Sequence, residues 1–132
     1  MKTKGILTLC LYIAAVFSGC RKEDSPIVVV DNGRWGVRYF FKNGEDRTTH
    51  FSSYKFSFGK KGELAVSSGN ETTMGSWYYC NDRQMEFGIY FKGAPLNDLN
   101  EHWKVLDQTD HEIHLRHLGQ NESKDYLVFQ KQ

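Results

Sequence analysis

The sequence predicts an all-β domain: a small eight-stranded antiparallel up-and-down barrel, with one short helical turn near residues 95–100. Three observations carry this reading. From Gly33 onward, short runs of alternating apolar and polar residues recur, the period-two pattern of a half-buried strand. Clusters of Gly, Asn and Ser punctuate them, at the roughly 8–12-residue spacing typical of sandwiches and barrels. No helical pattern is long enough to carry a parallel crossover, so neighbouring strands are expected to pair antiparallel.

The elements follow in order. The first strand covers residues 34–42 (RWGVRYFFK), with Trp35, Val37, Tyr39 and Phe41 assigned to one face. Asn43-Gly44, a strong turn dipeptide, ends it. Residues 45–53 read as a polar, irregular loop in which Phe51 is the one large apolar side chain. Tyr54, Phe56 and Phe58 make the second strand, and residues 59–62 (GKKG) turn the chain. Leu64 and Val66 carry the third, before a turn at Ser68-Gly69-Asn70. The fourth covers about 72–80, with Gly75, Trp77 and Tyr79 on one face and a turn at Asn81-Asp82. In the fifth, Met85, Phe87, Ile89 and Phe91 alternate with Glu86, Gly88 and Tyr90. Residues 92–95 break it, and residues 95–100 (PLNDLN) form the helical turn, with Leu96 and Leu99 three apart. Trp103 and Val105 open the sixth strand, against His102, Lys104 and Leu106 on its other face. Ile113, Leu115 and His117 share a face of the seventh, against His114 and Arg116. Gly119-Gln120-Asn121 turns, and the last strand covers Tyr126 to Phe129. Closing eight strands removes the exposed edges that invite aggregation.

The start of the chain differs from the rest. Lys2 and Lys4 precede an apolar run at residues 5–16 (GILTLCLYIAAV), followed by Phe17-Ser18-Gly19-Cys20. A basic start, a short apolar core and small residues before a cut define a secretory leader. The run falls short of the ~20 residues that a membrane-spanning helix needs. The cut site resembles a lipobox, with Ser18 and Gly19 as the small residues, Cys20 as the lipidated thiol, and Phe17 where Leu is commoner. Residues 1–19 are then the signal peptide, 20–32 the lipidated cysteine with its polar tether, and 33–132 the barrel. Ile27-Val28-Val29-Val30 within the tether is a candidate edge strand. Lipid on Cys20 implies a membrane as partner, since two or more acyl chains make anchoring stable. Lys22-Glu23-Asp24 resembles the surface-export signal of Bacteroidota-type lipoproteins. The expected location is the outer membrane, facing the cell exterior in preference to the periplasm.

Charge and cysteines narrow the reading further. Lys2 and Lys4 leave with the leader, so 15 basic and 16 acidic residues remain of the 17 and 16 in the full chain. Such a balance points to no nucleic-acid partner. Cys10 leaves with the leader and Cys20 takes lipid, so the mature domain is expected to hold no intrachain disulfide. Cys80 is expected to pack as a small apolar side chain.

Gly33-Arg34-Trp35 at the start of the first strand resembles the Gly-x-Trp signature of lipocalins and the wider calycin group. A second copy, Gly75-Ser76-Trp77, lies in the fourth strand. With Phe56-Ser57-Phe58, His102-Trp103-Lys104-Val105 and Leu127-Val128-Phe129, the pattern resembles the lipocalin-like lipoproteins of Bacteroidota. The resemblance implies that Gly33, Trp35 and Gly75 mark the base of the barrel. It also implies a basic residue packed over Trp35, for which Arg116 and Lys131 are the candidates.

No catalytic constellation is legible. His102, His111, His114 and His117 are close in sequence, but His114 and His117 alternate to opposite faces, which disfavours a metal site. His102 meets His114 only if the register of their hairpin allows it. Asp107, Asp110 and Glu112 surround a turn, with nothing to hold two of them on one substrate atom. No phosphate loop or nucleophile motif is present, so neither an enzyme nor a cofactor is expected. The aromatics remain. Tyr39, Phe41, Tyr54, Phe56, Trp77, Phe87, Phe91 and Trp103 are assigned to inner faces as candidate ligand-binding residues. One reading is a pocket for a small hydrophobic ligand at a mouth near residues 45–53 and 92–100. The other is a filled barrel, because so many rings in a short barrel take up its interior at native packing density. The expectation is a non-catalytic, lipid-anchored module for a small hydrophobic ligand. The alternative is a surface protein-interaction or inhibitor lipoprotein whose protein partner the sequence does not name.

Overall fold

The computed structural model describes residues 33–81, 85–118 and 124–132. The leader, Cys20, the tether with its candidate edge strand, and the turns expected at Asp82 and at 119–121 lie outside the described residues. The strands are β1 (Trp35–Lys42), β2 (Glu45–Asp46), β3 (Lys55–Phe58), β4 (Glu63–Ser68), β5 (Glu71–Asn81), β6 (Met85–Tyr90), β7 (Glu101–Gln108), β8 (Glu112–Leu118) and β9 (Lys124–Lys131). Each pairs antiparallel with its neighbour, and β1 also pairs with β9, closing eight strands into a barrel. The extra strand, β2, forms a two-pair hairpin on the end of β1. Asn43 and Gly44 make its turn with φ of 52° and 77°, the left-handed pair that two-residue hairpins need.

Alternation of direction sorts the connections into two ends. The base holds Gly33, the 59–62 turn, the 109–111 turn and Gln132. The mouth holds residues 43–54, the Gly69-Asn70 turn and residues 91–100. The seam between β1 and β3 is the thinnest part of the wall, a single pair between Trp35 and Phe56.

The interior is a column of rings. Trp77 and Phe87 stack with centroids 5.4 Å apart, and Phe58 meets both edge-on at 5.5 Å. Phe129 joins Phe58 to Phe56 at 5.4 and 5.2 Å. Towards the mouth, Phe40 packs on Trp103 at 6.4 Å and on Phe51 at 5.4 Å. Such edge-to-face pairs each add about 0.5–1.5 kcal/mol beyond the area they bury. Gly75 faces inward beneath the Phe91 ring, where a Cβ would lie 2.5 Å from its carbons.

Two bulges shift the alternation that the sequence suggests. One lies between Val37 and Tyr39 against β9. A bulge adds one residue and reverses the faces that follow it. Phe40 therefore points into the barrel with no exposure, while Tyr39 is 38 % exposed. Tyr39 and Phe41, expected inside, stack on each other outside with rings 4° from parallel. The other bulge, between Val105 and Asp107, sets Asp107 opposite His114.

Candidate functional site

The mouth is where a lipocalin-like reading places ligand entry, and here it is capped. A 3-10 turn at Thr48–Phe51 puts Phe51 into the barrel with no exposure. A second, at Leu96–Leu99, adds Leu96 and Leu99, likewise buried. Residues 45–53 are thus an ordered cap and not the irregular loop that their polarity suggests.

Local chemistry explains why the caps form. Asp46 Oδ1 accepts the Thr48 backbone N–H at 3.0 Å and the Thr48 hydroxyl at 2.7 Å, which starts the first turn. Those bonds hold the Asp46 carboxyl below its ordinary range. The Thr48 hydroxyl oxygen also accepts the Phe40 N–H at 2.9 Å, fastening the turn to β1. Asn100 fixes the second cap: its Oδ1 accepts from Phe91 N at 2.6 Å and its Nδ2 donates to Phe91 O at 2.8 Å. Trp103 Nε1 donates to Leu99 O at 2.9 Å. The two caps meet where Arg47 Nη1 lies 3.3 Å from Asp98 Oδ2 and Lys42 Nζ donates to Asp98 O at 2.8 Å. A pocket of about 190 Å3 remains beside them, between Tyr54, Val66, Thr73 and Leu96. Ligand sites ordinarily begin near ~300 Å3.

The eight candidate ligand-binding residues divide three ways. Phe56, Trp77, Phe87, Phe91 and Trp103 are buried in the ring column. Tyr54 is half-buried against it and lines the mouth pocket. Tyr39 and Phe41 are outside. Among the barrel-base residues, Trp35 is fully buried, and its Nε1 has no hydrogen-bond partner among the described residues. Lys131 is opposite Trp35 in register and so on its face, while Arg116 is paired with Tyr126 and Lys104.

The histidines do not converge. His102 is in register with Gly88, far from His114. His114 Nε2 lies 2.8 Å from Glu112 Oε1, and His117 Nε2 lies 3.2 Å from Glu101 Oε1. His111 contacts the neighbouring Asp110. Glu112 also takes the Arg38 guanidinium, and its carboxyl is held low chiefly by the His114 bond, with the Arg38 charge adding. Among the described residues, no three His, Cys, Asp or Glu side chains gather as for a metal ion.

The sequence reading missed a cluster on the outer face. Tyr78, Gly88 and His102 stand in one row across β5, β6 and β7. The Tyr78 ring lies over Gly88, where a Cβ would meet it at 1.9 Å. Its hydroxyl contacts His102 Nδ1 and lies 2.7 Å from Glu86 Oε2. Burial and the Glu86 carboxylate push the Tyr78 pKa well above the ordinary tyrosine range. A glycine opposite two hydrogen-bonding residues was the available signal, but it needs the register to be read.

Cys80 is buried, as a small apolar residue would be, but its sulfur is in a disulfide. The expectation of no intrachain disulfide concerns the mature domain, after Cys10 leaves with the leader and Cys20 takes lipid.

The last feature is a groove of about 860 Å3 at the base, running from Gly33 and Arg34 past Ser57 and Lys60 to Lys131 and Gln132. Comparison with known proteins finds no matching family model, curated protein or solved structure.

Proposed function

We propose that this protein is a lipid-anchored, non-catalytic interaction lipoprotein whose barrel is a filled scaffold and whose capped mouth presents the working surface. The packed mouth carries this reading. Phe51 and Leu99 have no exposure where a ligand would enter, and the ring column continues beneath them. A container for a small hydrophobic ligand would have to expel these side chains first, and deleting such a buried contact costs about 2–5 kcal/mol. The lipocalin-like character rests on Gly33-Arg34-Trp35, its repeat at Gly75-Ser76-Trp77 and the up-and-down barrel. Anchoring rests on the lipobox-like residues before Cys20, and surface display on Lys22-Glu23-Asp24.

The anchor and the Cys80 disulfide compete for the same small set of thiols. Intact mass of the membrane-extracted protein separates them. The reading expects a chain beginning at Cys20 and carrying acyl groups, and expects Cys20→Ser to leave the membrane fraction with the barrel still folded. A chain without lipid that keeps the Cys80 disulfide contradicts it.

A further inference from the structure

We propose that the groove at the base of the barrel rests on anionic lipid head groups and holds the capped mouth away from the membrane. The inference rests on the lipid-anchor reading. Two observations point to this occupant. The first is where the tether arrives. Twelve residues lie between Cys20 and Gly33, an extended reach of at most roughly 45 Å, and Gly33 itself lines the groove. A lipid on Cys20 therefore attaches the chain to the bilayer at the base end of the barrel, beside the groove.

The second is charge. Arg34, Lys60 and Lys131 line the groove, against the single carboxylate of Glu63. All three cations are exposed, and Lys61 is exposed in the adjoining turn. The other described acids of this end are Asp107, Asp110 and Glu112; Asp110 is in contact with His111, and Glu112 is paired with Arg38 and His114. The mouth has the opposite balance, with Glu45, Asp46, Glu71, Asp98, Glu101 and Asp125 outnumbering its lysines and arginine. The groove lining is thus locally cationic in a chain close to neutral overall. An anionic surface attracts the base and repels the mouth, within a Debye length of the head groups.

Amine acetylation, read by peptide mass spectrometry, tests this on the membrane-extracted protein. The protein is placed in vesicles of phosphatidylcholine alone or of phosphatidylcholine with phosphatidylglycerol. Lys60 and Lys131 should acetylate several-fold more slowly on the phosphatidylglycerol vesicles, while Lys92 and Lys124 at the mouth keep their rates. Salt near 1 M, where the Debye length is ~3 Å, should remove the protection. Arg34→Glu with Lys60→Glu should remove it at Lys131 without unfolding the barrel, because both side chains are exposed. Equal rates on the two vesicle types overturn the proposal. Protection by inorganic phosphate without vesicles also overturns it, in favour of a site for free phosphate. A protein that floats with neither vesicle type lacks the anchor, so the anchor reading falls and this inference with it.

Discussion

Arg47 and Asp98 join the two caps of the barrel, with Nη1 and Oδ2 3.3 Å apart across the mouth. Both side chains are partly exposed, at 21 % and 37 %, and such pairs contribute about 1 kcal/mol or less. The mouth is therefore held shut by apolar burial and not by the ion pair. Asp98→Ala should cost little in urea unfolding. Leu99→Ala, which removes a fully buried side chain, should cost about 2–5 kcal/mol. Equal losses would mean that the charged contact holds the caps.

The bulge before Tyr39 gives a paired prediction. Phe40→Ala should destabilise by about 3–5 kcal/mol, as for other buried rings. Tyr39→Ala, outside and stacked on Phe41, should cost less than about 1.5 kcal/mol. Regular alternation from Trp35 would reverse that order. Urea midpoints of the two variants decide between the registers.

Gly88 is the seat of the Tyr78 ring. In Gly88→Ala the ring must leave, since the added carbon would lie 1.9 Å from it. The neutral phenol is the favoured form in the fold, so its contribution to stability is complete below the ordinary pKa of about 10 and is lost as pH rises through the raised value. Alkaline absorbance titration, compared with Tyr78→Phe, should find Tyr78 among the last tyrosines to ionise. Gly88→Ala should return it towards the ordinary range. Unchanged titration in Gly88→Ala would contradict the placement of the ring.

Glu112 predicts a response to acid. Its carboxyl is depressed by the His114 bond and by Arg38, so its contribution is present above the unfolded carboxyl pKa of about 4.3 and is lost as pH falls through the lower folded value. Glu112→Gln should therefore be less stable than the parent at pH 6. The gap should close as pH falls through the ordinary carboxyl range, measured by thermal melts across that interval. A gap that widens in acid would contradict the assignment.

Much of this fold is legible in the residue order. Phe56, Trp77, Phe87 and Trp103 stand where period two puts them, and Asn43-Gly44 makes the expected turn, although the hairpin strand Glu45–Asp46 that follows it was read as loop. Leu96 and Leu99 form the expected turn. What failed was what alternation cannot encode. A bulge leaves no compositional mark, so Phe40 was traded for Tyr39 and Phe41. Phe51 is legible as the one large apolar residue of 45–53 but not as core, because its neighbours are polar, yet the Asp46–Thr48 bonds start the turn that buries it. The Tyr78, Glu86 and His102 cluster depends on register across three strands.

The filled interior is the centre of this account. Titrating a dansyl-labelled fatty acid into protein carrying Cys20→Ser, which has no acyl chain of its own, tests it most directly through energy transfer from the buried Trp77 and Trp103. A packed barrel predicts no saturable transfer. Saturable one-to-one binding that Phe51→Trp or Leu99→Trp abolishes would contradict it, and would return the mouth to the role of a ligand entrance.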